Sequence, residues 1–328
     1  MPEILYMPMI YIRLHTTNPY RNLAIEEYLL RHSDEDVFML WQNEPSVILG
    51  KNQNAYAEVN LLYARERGIH VVRRITGGGA VYHDAGNLNY TFITKKSKAD
   101  VLDYAHFAAP ILSALWGLGL DCSLSGRNDL ECAGRKFSGN AQAVVGDRIL
   151  HHGTLLFDAN TAEMGAVLHR DEEKLAYRGV HSHESRVVNL HELLDDNFTV
   201  EDFISHIERE VLAETAAVRV DAPACAEIDA LCARNASEDW IYSDRRYLTE
   251  YEVSKKKKFP FGVVCVSLRL VRNEITEAMI SGDFFGQKPV EELEEMLRGR
   301  RVDEPLGIDP SPYIGGMTEE ELASLLCG

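Results

Sequence analysis

Two glycine-rich clusters carry the residue types that phosphate chemistry needs. The first reads Arg73-Arg74-Ile75-Thr76-Gly77-Gly78-Gly79-Ala80-Val81-Tyr82-His83-Asp84-Ala85-Gly86-Asn87. Consecutive glycines let a backbone adopt positive φ and come close to a ligand. Exposed N–H groups in such a turn cradle anions, and flanking arginines add charge for phosphate. Taken alone, Gly-Gly-Gly is a tight turn between strands. The Arg-Arg before it and the His-Asp after it point instead to a site. Spacing excludes two rival phosphate motifs. No G-x-x-x-x-G-K-[ST] is present, and G-x-G-x-x-G fails because Tyr82 stands at the third glycine position. The residues after Gly79 read as strand, whereas a Rossmann turn opens a helix.

The second cluster is Ser125-Gly126-Arg127-Asn128-Asp129-Leu130, and after it comes Gly134-Arg135-Lys136-Phe137-Ser138-Gly139-Asn140-Ala141-Gln142. Lys136 lies in polar sequence that reads as a turn entering a strand. Held against a phosphate, it would act as a point charge with three donors; otherwise it is an ordinary turn lysine. Asp129 is a candidate Mg²⁺ ligand, because that ion is often held by one or two carboxylates plus substrate phosphates; a turn aspartate is the equal alternative. A third stretch, His151-His152-Gly153-Thr154, puts two histidines side by side. Neighbours in a regular strand point to opposite faces, so these two cannot share one metal, but one of them can line a pocket. Lys174–Val180 and Ser185–Leu190 add basic groups that are individually uninformative. Of the six cysteines, none forms a C-x-x-C pair, which reads as reduced thiols.

The elements that must hold these groups alternate irregularly. Strands are expected at Ile10–Leu14, Val37–Trp41, Val47–Leu49 and Val71–Arg74, with an extended stretch over Ala80–Ile93. Asn18-Pro19 starts a helix through Leu30. Further helices are expected at Asn60–Arg67, Tyr104–Leu118 and Thr199–Leu212. Gly146-Asp147 between two apolar runs signals a hairpin. The result is an α+β plan with a mixed, largely antiparallel sheet carrying helices. The stretch 215–250 reads as a junction. After Lys255–Lys258, strands at Phe261–Leu270 and Ile275–Ile280, a helix at Pro289–Arg298 and a capping box at Thr318-x-x-Glu321 make a small α+β C-terminal domain. The expected division is therefore 1–249 and 250–328.

Bulk numbers narrow the function further. The net charge is −17, which argues against nucleic-acid binding as the main task. Residues 65–74 run the other way, with four arginines against Glu66, and would draw an anionic ligand. No window reaches the roughly 18 consecutive apolar residues of a membrane span, and the N-terminus lacks a signal-peptide pattern. A cytoplasmic protein, monomeric by default, is expected.

Taken together, RRITGGGAVYHDAGN, SGRNDL, GRKFSGNAQ, HHGTLL and SRVVNLHELL resemble lipoate–protein ligases in type and order, across residues 73–194. The segment after 250 is similar to the accessory domain of two-domain members. One departure is Thr76, where serine is common; the hydroxyl is kept. The resemblance implies a biotin/lipoate ligase fold, related to class II aminoacyl-tRNA synthetases. It places nucleotide contacts on Arg74, Gly79, Ala80, Val81 and Tyr82, and the essential lysine, touching both the lipoyl carboxyl and the phosphate, on Lys136. His83, Asn87 and one of the two adjacent histidines, taken as His151, would line the same pocket. It implies ATP and lipoate as substrates, Mg²⁺, a lipoyl-AMP intermediate, and acceptor lysines on lipoyl domains of 2-oxoacid dehydrogenase E2 subunits and the glycine-cleavage H protein. Two other readings stand beside it: a thioester-forming octanoyl/lipoyl transferase of the same fold acting through Cys122, and a non-catalytic module that binds acylated partners.

Overall fold

The computed structural model describes residues 9–169, 187–242 and 251–327. The basic stretch 174–180 and residues 185–186 lie outside them. Fourteen described strands fall in chain order: β1 (Ile10–Arg13), β2 (Val37–Trp41), β3 (Ser46–Leu49), β4 (His70–Arg73), β5 (Val81–His83), β6 (Asn87–Lys95), β7 (Cys122–Ser125), β8 (Asp129–Cys132), β9 (Arg135–Val145), β10 (Arg148–Leu156), β11 (Val218–Arg219), β12 (Val253–Phe259), β13 (Gly262–Val271) and β14 (Glu274–Gly282). They form an eight-stranded sheet in the order β11-β1-β2-β6-β10-β9-β8-β7 and two three-stranded sheets, β4-β3-β5 and β12-β13-β14. Only the β1 pairings, with β2 and β11, are parallel in the large sheet. The mixed, largely antiparallel α+β plan is thus what the chain adopts.

Register in the large sheet sorts its side chains into two different faces. Phe38 pairs with Phe92, and Phe92 with His151. This face is apolar and packs into a core with Phe107 and Ile111 of the helix Tyr104–Gly117 and Phe203 and Ile207 of the helix Val200–Thr215. One residue along, Met39 pairs with Thr91, and Thr91 with His152. That second face is polar, and Glu26 of the helix Pro19–His32 reaches it. A strand buried on both sides shows no clean alternation in sequence, so the two faces differ in a way that only the register reveals.

Two expectations need correction. Ala80–Ile93 is not one extended run: Asp84 to Gly86 breaks it into β5 and β6, which belong to different sheets. The Asp84 side chain accepts from the Gly86 N–H at 2.9 Å, the local bond that turns the chain. A Cβ at Gly86 would stand 1.9 Å from the Asp158 carbonyl oxygen, so only glycine fits that corner. The junction at 215–250 also contains a helix, Ala226–Asn235, which packs on Pro19–His32. Its contacts are largely ionic. Arg234 holds Glu27 at 2.5 Å, and Arg21 holds Asp229 at 2.9 Å. Burial alone would push the Glu27 carboxyl up, but hydrogen bonds and charge from Arg234 and Arg31 hold it below its usual range. A helix attached through charges carries little apolar periodicity, which is why its sequence reads as a linker.

The chain divides into two compact units. The first contains the eight-stranded sheet. The second comprises Ile48–Val59, Arg73–Val81 and Ser237–Gly328, so it is wider than residues 250–328 and includes the glycine cluster. Its core gathers Val264, Leu268, Ile280, Phe284, Leu293 and Leu322.

Candidate active site

In the first unit the site is built on the polar face of the sheet. Asn128 and Asn140 exchange side-chain bonds: Asn128 Nδ2 donates to the Asn140 carbonyl at 2.7 Å, and Asn140 Nδ2 to the Asn128 carbonyl at 3.0 Å. This staples the turn before β8 onto β9. It brings the Asp129 carboxylate to 2.7 Å from Lys136 Nζ. Gly139 makes room, since a Cβ there would lie 3.1 Å from Lys136 Nζ. That missing Cβ points to the same face as Ala141, the register partner of His152. The pair keeps access to solvent, with side chains 39% and 36% exposed. An ion pair so open contributes little to stability; a lysine poised at the surface of a polar face is available to a ligand.

Deeper on the same face lies a hydrogen-bonded cluster. Glu26, 1% exposed, accepts from Thr91 Oγ1 at 2.6 Å and bonds His152 Nδ1 at 3.0 Å. Trp41 Nε1 donates to Thr91 Oγ1 at 3.0 Å. Asn87 Nδ2 donates to Asn89 Oδ1 at 2.9 Å along β6. His83 is buried, with Nδ1 3.0 Å from Asn43 Nδ2, and Asn43 accepts in turn from Asn22 at 2.9 Å. Glu26, Trp41, Asn43 and Asn22 carry no motif of their own. Asn22 and Glu26 are polar positions of a helix, Trp41 ends an apolar strand, and Asn43 lies in the loop after it.

His151 is placed elsewhere. Strand alternation turns it to the apolar face, fully buried, stacked 4.8 Å from the Phe107 ring. Burial pushes its pKa well down, helped by the charges of His152 and His106. It belongs to the core, and His152 is the one that shares the face of Lys136. Glu26→Ala is expected to cost about 3 kcal/mol, because it removes the acceptor shared by Thr91 and His152. The measurement is a urea midpoint at constant m-value; an unshifted midpoint would show that the cluster does not hold the face.

In the second unit, both arginines of the glycine cluster are buried and turned onto backbone carbonyls. Arg73 donates to Gly50, Lys51, Gln53, Trp240 and Ile241. Arg74 donates to Ile48 at 2.9 Å, Gly77 at 2.6 Å and Gly79 at 2.8 Å, and its Nε to Thr76 Oγ1 at 2.8 Å. The sequence reads these side chains as charge presented to phosphate. Here Arg74 instead gathers the loop's carbonyls onto itself, which fixes the loop's shape. The Thr76 hydroxyl takes part in this. Gly78 has φ +88°, and Gly50 packs against it so closely that a Cβ would lie 1.9 Å from the Gly78 oxygen. Gly77 abuts the Phe284 carbonyl, and Phe285 lies against Gly78. Gly79, by contrast, has no described residue within 4 Å of where its Cβ would be. Ala80 and Val81 come next, half-buried.

Tyr82 begins the return to the first unit. Its ring is buried and its hydroxyl donates to Glu163 at 3.3 Å, beside Arg67, which holds the same carboxylate at 2.9 Å. Burial raises the phenol's pKa, with Asp84 and Glu163 adding to it. Any contact from Tyr82 to a nucleotide therefore falls to its backbone.

Residues 18–212 match the model of the lipoyl protein ligase A/B catalytic domain, and residues 249–326 match the bacterial lipoate protein ligase C-terminus. The chain belongs to the lipoate–protein ligase family. It is a ligase. The lipoate-protein ligase LplJ of Bacillus subtilis is 37% identical, over 97% of this chain and 100% of that protein. In fold the chain is similar to LipL1 of P. falciparum, solved in complex with lipoate, with TM-score 0.79 at 23% identity over 97% of this chain and 99% of that one. It is also similar to the bi-partite lipoate protein ligase of Thermoplasma acidophilum, from a study that includes its E2 lipoyl domain, with TM-score 0.61 at 26% identity over 75% of this chain and 99% of that one. No described helix is long and apolar enough to cross a membrane.

Cys122 does not have the surroundings of a nucleophile. It is 1% exposed and lies opposite Cys132 across β7 and β8. Burial raises its thiol pKa far above the ordinary value, with Cys132 and Asp121 adding to the shift. A thioester enzyme needs the thiolate, and access to it. Cys122→Ser is therefore expected to leave the rate of lipoate ligation nearly unchanged. Loss of all acyl transfer in a folded serine variant would reverse this assignment.

Proposed function

We propose that the enzyme activates lipoate with ATP and passes the lipoyl group to a lysine of a lipoyl domain, on a 2-oxoacid dehydrogenase E2 subunit or the glycine-cleavage H protein. The observation that carries this reading is the accessible Lys136–Asp129 pair on the polar sheet face, at 2.7 Å. A lipoate carboxylate oxygen attacks the α-phosphorus of ATP, the bond to the β-phosphate breaks, and pyrophosphate leaves. Lys136 places a positive donor where charge gathers on the non-bridging oxygens and the carboxyl. The backbone of Gly79 to Tyr82 offers N–H groups to the nucleotide, held in shape by Arg74.

In the second step the acceptor amine attacks the lipoyl carbonyl carbon and AMP leaves. That amine must be neutral, although a lysine ordinarily titrates near 10.4. A cation beside it lowers that value, a second task for Lys136. The buried Asn87, Trp41 and His152 lie along that face, His83 stands beside Trp41, and together they would line the path of the acyl chain.

Among the described residues no three His, Cys, Asp or Glu side chains gather into a metal cage. That fits an ion held mainly by phosphates with one protein carboxylate. Asp129 would hold Mg²⁺ there, and the ion would supply charge neutralisation on the phosphates. We further propose residues 250–328 as the accessory domain. The test is ATP-dependent lipoylation of a purified lipoyl domain, read as a mass increase at its lysine. Lipoylation that needs lipoate but not ATP would defeat the adenylate reading.

A further inference from the structure

A pocket at the end of β1 holds positive charge that the reaction does not use. A cavity of 340 Å³ opens where β1 gives way to the helix Pro19–His32, walled by Arg13, His15, Arg21, Ile25, Arg219 and Asp221. Its wall carries three guanidinium groups and the Asp221 carboxylate, with Glu201, Glu208 and Asp229 beside them. Two of the three are already matched: Arg21 by Asp229 at 2.9 Å and Arg219 by Glu208. Arg13 is not. Its side chain is only 12% exposed, and its nearest carboxylate is that of Glu201 at 3.9 Å, on a side chain 75% exposed. Its Nη2 makes a long bond, 3.4 Å, to Gln42, and its buried Nη1 has no hydrogen-bond partner among the described residues. Burial lowers its pKa, as expected of a cation poorly compensated where it lies.

Buried charges in folded proteins are almost always paired, because an uncompensated one is costly. A poorly compensated guanidinium whose side chain lines a cavity is therefore a sign of a missing counter-ion. We propose that this pocket binds one oxyanion group, a carboxylate or a phosphate, with Arg13 as its principal donor and Arg219 and Arg21 steering it in. The group can come from a free anion or from an acidic side chain of the acceptor protein; the second source rests on the ligase reading above.

The pocket is wired to the candidate site. Thr16, in its wall, accepts through its carbonyl from Asn22 at 3.1 Å; Asn22 donates to Asn43 at 2.9 Å, and Asn43 contacts His83 at 3.0 Å. Gln42, which accepts from Arg13 Nη2, donates to the Ala85 carbonyl at 2.7 Å. An occupied pocket would thus brace the turn that follows His83.

The experiment compares the full chain with Arg13→Met and with Arg219→Gln, a change at a 62% exposed side chain that spares the fold. Thermal midpoints are measured in chloride buffer against inorganic phosphate and against acetate. General salt effects act on all three proteins alike, so the difference between them is the readout. For a free anion, the wild type gains a saturable upward shift that Arg13→Met lacks and Arg219→Gln weakens. For a protein side chain, phosphate does little, but KM for a lipoyl domain rises several-fold in both variants while lipoate-dependent pyrophosphate exchange stays at the wild-type rate. Equal phosphate shifts in all three proteins together with an unchanged acceptor KM would overturn the proposal. If the wild type shows no exchange at all, the ligase reading fails while the phosphate result still decides the pocket.

Discussion

Lys136→Ala is expected to lower the rate of lipoate adenylation by about 10²–10³, the usual effect of removing one donor from developing charge. Its stability should hardly change, because the bond it loses is the half-exposed pair with Asp129. The variant also separates positioning from charge. Gly139→Ala keeps the lysine but sets a Cβ 3.1 Å from Nζ at its unshifted position. The flexible side chain will move aside, and adenylation should fall by less than in Lys136→Ala. Single-turnover formation of lipoyl-AMP, with a rapid quench, measures both. Adenylate formed at the wild-type rate by Lys136→Ala would remove this residue from the chemistry.

Gly50→Ala is the second large effect, and it acts through the glycine loop rather than through a charge. The added Cβ would meet the Gly78 oxygen at 1.9 Å and the Arg74 Nη2 at 3.3 Å. A backbone oxygen cannot move without its peptide, so the loop must shift and the Arg74 bonds to Gly77 and Gly79 must break or bend. Overpacking of this kind costs about 1–3 kcal/mol. Nucleotide affinity should suffer more than the fold does, with KM for ATP raised by about tenfold or more, the equivalent of 1.4 kcal/mol or above. Steady-state kinetics alongside a thermal midpoint checks the division. A lower midpoint with an unchanged KM for ATP would place the nucleotide away from this loop.

Gly50 also shows where sequence reading stops. It lies more than twenty residues before the glycine cluster in a Leu-Gly-Lys context that carries no turn signature. Its importance exists only once β3 brings it against Gly78. The cluster itself was legible, because three glycines between Arg-Arg and His-Asp are improbable as a plain turn. The role of its arginines was not: guanidinium charge reads as a phosphate contact until burial shows it bonded to carbonyls. Adjacent histidines gave a similar half-answer. Alternation required opposite faces, yet nothing local told which face was apolar; the register with Phe92 and Thr91 decides it. The helix Val200–Thr215 was readable from its apolar stripe, and β2 from its unbroken apolar run. The helix Ala226–Asn235 was not, since it is held by ion pairs to Arg21 and Glu27, and these leave little apolar stripe to read.

Adenylation is the central claim, and isotope exchange between pyrophosphate and ATP tests it most directly. Reversal of the first half-reaction returns labelled pyrophosphate to ATP only if an acyl-adenylate forms on the enzyme. Exchange should depend on lipoate, need no acceptor protein, persist in Cys122→Ser and collapse in Lys136→Ala. A folded wild-type enzyme that lipoylates its acceptor yet exchanges no label would contradict it.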